Sequence, residues 1–138
     1  ILGDMLHGPL HRSVWQAQWL AWREQQPALQ VHVIRGNHDR QLSAAPLQVQ
    51  LHAQMQLGDI VLRHEPEPEP DACVIAGHVH PQIALPALRR RFSAFWLRPG
   101  VSVLPAFSAF TAGVVVPPAR DEQRIACVEG TLVPLPAR

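Results

Sequence analysis

The sequence predicts an α/β (α+β) fold, with a helix–strand part followed by a mostly β part. Three observations carry this reading. Trp15, Trp19 and Trp22 recur at helical spacing early in the chain. A series of short apolar or β-branched runs then follows, each of strand length. Helical periodicity is sparse after Trp22. The 138 residues are enough for a real hydrophobic core, and residues 1–138 are expected to form one domain. No internal repeat or domain linker interrupts them.

Taken in order, Ile1-Leu2 reads as a strand end and Gly3-Asp4 as the tight turn after it. Arg12 to Gln26 reads as a helix, with Ser13 as a possible cap and Pro27 as its stop. Its tryptophan stripe is expected to face the core rather than stack on bases. Val31 to Arg35 is a buried strand running into Gly36-Asn37-His38-Asp39. Leu47 to Leu51 and Met55 to Leu57 are weaker strands, and Gly58-Asp59 makes a hairpin turn to Ile60–Arg63. Glu65 to Pro70 alternates acid and proline and is expected to be a stiff, solvated connector. Cys73 to Ala76 is a buried strand ending in Gly77-His78-Val79-His80-Pro81. Further strands are expected at Gln82–Leu85, Arg89–Leu97, Val101–Leu104, Arg124–Glu129 and Thr131–Pro134.

Composition narrows the function classes. Hydrophobic residues make up 47% and charged residues 17%, which excludes a disordered chain. The formal net charge of +1 gives no general pull toward nucleic acid or membrane, so any DNA contact must come from a local patch. Cys73 and Cys127 lie in apolar runs and form no disulfide framework or zinc knuckle. They are expected to be buried small hydrophobes in a reducing cytoplasm. No apolar run approaches the roughly 18 residues of a membrane span, and no signal peptide is evident. A cytoplasmic protein without a membrane partner is therefore expected. The chain opens on a strand end instead of a methionine, so its first strand or strands are expected to be missing.

Four polar clusters each follow an apolar strand: Asp4, Asn37-His38-Asp39, His64 and His78/His80. In an open α/β sheet the carboxyl ends of the strands form one rim, where ligands bind. Residues distant in sequence can therefore converge there. Aspartate, asparagine and histidine offer oxygen and nitrogen donors suited to Mn²⁺, Fe or Zn²⁺ at hydrolytic centres. Glycines at 3, 36 and 77 let the backbone turn sharply beside them. Each cluster alone is weak; the ordered set points to a dinuclear metal site.

This ordered set resembles the calcineurin-like metallophosphoesterase superfamily, whose fold is a β-sandwich flanked by helices. The resemblance implies a role for each position. Asp4 would bridge two metals. Asn37, through its amide oxygen, His64 and His78 would bind the second metal, and His80 the first. His38 would protonate the leaving oxygen or stabilise charge on the phosphoryl group, and Asp39 would hydrogen-bond and orient His38. Two bound ions would lower the pKa of a bridging water and supply hydroxide for in-line attack, without a covalent enzyme intermediate.

A closer resemblance covers most of the chain. It runs through Leu2 to Gly8, Val33 to Arg40, His64-Glu65-Pro66, Ala76 to Pro81, Phe95-Trp96 and Val103 to Gly113. These segments are similar to the ligase-associated DNA-damage-response phosphoesterases, with the stretch from Leu104 to Gly113 the most group-specific. This implies a manganese-favouring phosphodiesterase or endonuclease acting on DNA, with an ATP-dependent DNA ligase and a helicase as partners. One departure stands out: the superfamily's opening Asp-x-His is not found before Asp4. The first metal would keep only Asp4 and His80, so this chain is expected to bind one metal well and two poorly. The missing strand would also leave a core strand's neighbours unpaired, so low stability and weak activity are expected.

Other residues have two readings each. His7 follows the bridging aspartate and is open to substrate contact or to a structural place in its loop. Arg40 flanks the catalytic loop and is a candidate phosphate contact. Arg89-Arg90-Arg91 is either a solvated strand face or a track for a DNA backbone. Phe107 and Phe110 are expected in the core rather than as base-stacking platforms. His11, His32 and His52 have no motif context. A nucleotide or small-molecule phosphodiesterase or phosphatase is the competing enzyme reading. A crippled fragment that only docks onto repair partners is the non-catalytic one.

Overall fold

Short apolar runs alternating inward and outward residues leave little choice but to pair edge to edge, and the computed structural model shows how they do so. It describes residues 1–6, 14–108 and 111–136. His7, His11, Ser13 and Phe110 lie outside the described residues, as do the expectations placed on them.

Helix α1 spans Trp15–Glu24 and leads to strand β1, His32–Ile34. A 3-10 turn, Asp39–Gln41, and a four-residue helix α2, Ala44–Leu47, precede β2, Gln50–His52. Strands β1 and β2 pair in parallel as a small sheet. Ile1 runs beside β1, its carbonyl accepting the Ile34 N–H at 2.9 Å.

The larger sheet holds the other strands. Met55–Leu57 (β3) and Ile60–Leu62 (β4) form the hairpin about Gly58-Asp59. Cys73–Ala76 (β5) lies parallel to β4 and, on its other side, to Val101–Val103 (β8). Pro81–Leu85 (β6) pairs antiparallel with the nine-residue β7, Arg90–Arg98. The second half of β7 is flanked by β8 and by Gln123–Val128 (β10), since Trp96 stands opposite both Val103 and Arg124. Val114–Val115 (β9) adds to β6, and Thr131–Leu135 (β11) closes a hairpin with β10. The result is α+β, with a mixed sheet and few helices. Among the described residues no helix is long and apolar enough to cross a membrane.

The core lies in three patches. Leu6, Val33, Leu42 and Leu47 pack under the small sheet, with Trp15 and Trp19 of α1 against them. Val61, Val74, Ala76, Val101 and Val103 fill the parallel region, and Ile83, Phe92, Ala94, Val116 and Ala126 the antiparallel one. Trp96 touches both of the latter. The indole N–H of Trp19 donates to the Leu47 carbonyl at 2.8 Å, tying α1 to the end of α2.

Several expectations need correcting. Leu47 ends a helix instead of starting a strand. Pro46 fits a helical first turn, where no N–H is needed, and Gln48 then takes a left-handed conformation (φ 54°) that stops the helix. Trp22 leaves the core stripe and is 40% exposed, while Arg23 beside it is buried. Cys73 is exposed and Cys127 half-buried. Strand alternation explains Cys73: Val74 and Ala76 turn inward, and Cys73 faces out with the opposite phase. The acidic proline loop is tied down in part, since Arg63 pairs with Glu69 and Arg98 donates to the Pro66 carbonyl at 2.7 Å. Strand β9 is only two residues long and shows no alternation that a sequence reading could use.

Candidate metal centre

Three strand ends and one turn bring the predicted residues together. Asn37 and His38 follow β1, His64 follows β4, and His78 follows β5. Because β4 and β5 are parallel neighbours, their carboxyl ends lie side by side, and the Gly77 N–H donates to the His64 carbonyl at 3.1 Å. The Gly3-Asp4 turn closes over them. Gly3 has φ 91°, and a Cβ there would sit 2.2 Å from Nδ1 of His64. Only a residue without a side chain lets the turn approach that imidazole so closely.

His64 is the centre of the arrangement and is 6% exposed. Its Nδ1 lies 2.8 Å from the Leu2 carbonyl oxygen. A carbonyl can only accept, so Nδ1 carries the proton and Nε2 of the neutral ring presents a lone pair. Around that Nε2 stand the Asn37 amide oxygen at 3.0 Å, His78 Nδ1 at 3.0 Å and Asp4 Oδ2 at 3.4 Å. Donor atoms of Asp4, His64 and His78 all lie within 4.8 Å of one another. Two lone pairs facing each other, as in His64 and Asn37, repel unless a cation or proton lies between them. Nitrogen and oxygen ligands at their usual metal distances stand about 3 to 3.5 Å from each other on one ion. The separations found here match that spacing, so these four side chains fit a divalent cation.

Three of the predicted residues also take left-handed backbone conformations, as do Gln48, Asp71, Arg89, Asp121 and Glu129 elsewhere in the chain. Asp4, His78 and His80 take positive φ values of 52°, 66° and 50°. Each such non-glycine conformation costs on the order of 1 to 3 kcal/mol. Asp4 is further fixed by its Oδ1, which accepts the His38 N–H at 3.0 Å. A Cβ on Gly36 would come within 2.2 Å of that same oxygen, so the loop after β1 also depends on a glycine.

Asp39 is fully buried, and both of its oxygens hold backbone. Oδ1 accepts the Leu6 N–H at 3.0 Å and Oδ2 accepts the Gly36 N–H at 2.9 Å. This carboxylate therefore pins the Asp4 turn to the loop carrying Asn37, a role the sequence did not suggest beside the one expected toward His38. His80 is not in the converging group. Its Nδ1 donates to the Ala112 carbonyl at 3.1 Å, which leaves its Nε2 lone pair unprotonated in the neutral ring. His38, whose N–H bonds Asp4, and Arg40 in the following turn are both exposed.

Beside Asn37 and His64 lies an open cavity of about 390 Å³, also lined by Arg35, Arg63, Glu65 and Glu67. Arg35 donates to the Asp39 carbonyl at 3.2 Å, bracing the 3-10 turn. Sequence reasoning missed Arg63, whose one signal is that it directly precedes His64. It also missed the Leu2 and Ala112 carbonyls, which carry no side-chain signal at all.

No protein-family model matches the chain, and no curated protein matches it. Among solved structures, the chain is similar to the crystal structure of Pseudomonas putida nuclease MPE, at 37% identity and a TM-score of 0.86. The match covers 98% of this chain and 69% of that one. At that identity over nearly its whole length, the chain belongs to the same family as Pseudomonas putida nuclease MPE.

Proposed function

We propose that this chain is a metal-dependent phosphodiester hydrolase of the calcineurin-like superfamily, a nuclease acting on DNA in repair. The observation that carries the reading is the hydrogen-bond-fixed lone pair of His64, faced by Asn37, His78 and Asp4. Kinship with a nuclease supports the substrate class. Mn²⁺ is the proposed ion, with Fe or Zn²⁺ as alternatives for the same oxygen and nitrogen donors. Asp4, Asn37, His64 and His78 would hold one ion, and Asp4 with His80 would contribute to a neighbouring one.

Bound divalent ions supply a nucleophile at neutral pH, by lowering the pKa of water, and offset phosphoryl charge. The chain's own residues do the rest. His38 is held to Asp4 by its N–H bond, and its imidazole protonates the leaving oxygen or steadies phosphoryl charge. Asp39 holds the loop in which His38 sits and is proposed to orient that ring. Arg40 is a proposed phosphate contact. An ATP-dependent DNA ligase and a helicase are the proposed partners, in the cytoplasm.

The test is cleavage of single-stranded DNA with Mn²⁺, with a chelator, and by a His38→Ala variant. Cleavage that needs metal and falls about a hundredfold or more in the variant supports the reading. Metal-independent cleavage, or no effect of His38→Ala, overturns it. A nucleotide phosphodiesterase is the second reading, favoured by the 390 Å³ cavity, which is the size of a small ligand's site. A DNA-binding enzyme loses affinity steeply with salt as counterions are released, and a nucleotide enzyme does not.

A further inference from the structure

Phe107 was expected in the core, and the structure places it wholly outside. Its relative exposure is 108%, so its ring is covered by nothing. A buried phenylalanine would stabilise the fold, and this position forgoes that. Trp22, the other exposed phenylalanine or tryptophan among the described residues, keeps more than half its surface covered at 40% exposure.

The loop that carries Phe107 is tied to the metal-ligand segment at both ends. At its start, the Leu104 N–H donates to the Ala76 carbonyl at 2.8 Å, next to Gly77 and His78. At its far end, the Ala112 carbonyl accepts from the His80 ring at 3.1 Å, and the Val114 N–H donates to the His80 carbonyl at 3.2 Å. Thr111 Oγ1 donates to the Ser108 carbonyl at 3.2 Å, bracing the loop beyond Phe107. Three residues of chain reach at most about 11 Å, so Phe107 stays within that distance of the Leu104 anchor. Leu104 is itself tied to Ala76, two residues before His78, so Phe107 is joined to that strand end by a short, anchored stretch of chain.

We propose that Phe107 is a stacking platform for a nucleobase of the strand whose phosphodiester enters the Asp4–Asn37–His64–His78 centre. The inference rests on the nuclease reading above and deepens it. A planar apolar ring, anchored beside the site and open on its faces, suits a base because every base has a π-face. It would hold the strand without reading its sequence.

The test compares kcat/KM for a single-stranded deoxyoligonucleotide with that for the same oligomer made abasic next to the cleaved phosphate. Each is measured for the unchanged chain, Phe107→Ala, Phe107→Trp and Phe107→Leu with Mn²⁺. Circular dichroism checks that the variants are folded. The base-bearing to abasic ratio is expected to fall about tenfold in Phe107→Ala. It is expected to recover in Phe107→Trp and to stay low in Phe107→Leu, because stacking needs a π-face and not mere bulk. An unmoved ratio in Phe107→Ala, or full recovery in Phe107→Leu, overturns the platform. If the unchanged chain cleaves neither oligomer, the nuclease reading itself fails, and that result is distinct from an unmoved ratio.

Discussion

His64 Nδ1 and the Leu2 carbonyl oxygen lie 2.8 Å apart, and this one bond turns a histidine into a presented lone pair. It exists because Gly3 lets the Leu2–Asp4 turn lie against the imidazole. Gly3→Ala would place a Cβ 2.2 Å from that ring at a φ of 91°. The variant is expected to lose metal affinity at least tenfold and about 3 kcal/mol of stability, from strain plus a displaced buried side chain. Titration calorimetry with Mn²⁺ and urea unfolding measure the two losses. Unchanged Mn²⁺ affinity in Gly3→Ala would show that the turn does not shape the site.

The facing lone pairs of His64 and Asn37 give a second expectation. If a cation belongs between them, it binds the folded chain and not the unfolded one. Mn²⁺ at a hundred times its dissociation constant should then add about 2.7 kcal/mol, a rise in Tm of roughly 10 °C. Asn37→Leu removes the oxygen and should abolish the rise, whereas Asn37→Asp keeps an oxygen and should retain it. A Tm that does not respond to Mn²⁺ would count against the metal centre.

The donor set was legible in the sequence because each donor follows an apolar run, and parallel strands carry such residues to one rim. Asp4, Asn37, His64 and His78 lie together in the fold. What fixes their geometry was not legible. The Leu2 carbonyl has no side chain to read, and the Asp39 bonds to Leu6 and Gly36 depend on tertiary approach. Strands β4, β5 and β10 lie almost where their short apolar runs put them. The helix Ala44–Leu47 did not, because four residues set no period and its support comes from the Trp19 indole. Phe107 was misplaced because an apolar side chain normally signals core, and only the fold shows that nothing covers it.

Asp39 should matter for stability apart from chemistry. Asp39→Ala removes the acceptor of the buried Leu6 N–H and of the part-buried Gly36 N–H. Each unsatisfied buried donor costs about 1 to 3 kcal/mol, so a loss of roughly 2 to 5 kcal/mol is expected by urea unfolding. Asp39→Asn keeps one acceptor oxygen and should lose about half as much. Equal loss in the two variants would mean that packing, and not these two bonds, carries the cost.

The two cysteines should separate by reactivity. Cys73 is exposed on the outward phase of β5, open to reagent. Cys127 is half-buried in β10, and burial raises its thiol pKa above the ordinary value. The thiolate is the reacting form, so at pH 7 to 8 Cys127 carries less of it as well as being less accessible. Iodoacetamide with mass spectrometry of the folded chain should label Cys73 first. The rate at Cys127 should climb with pH beyond the range of an ordinary thiol, because its raised pKa delays thiolate formation. In denaturant both should react at the same rate, since the burial that sets Cys127 apart is gone. Equal rates in the folded chain at neutral pH would mean that β10 opens as readily as the surface.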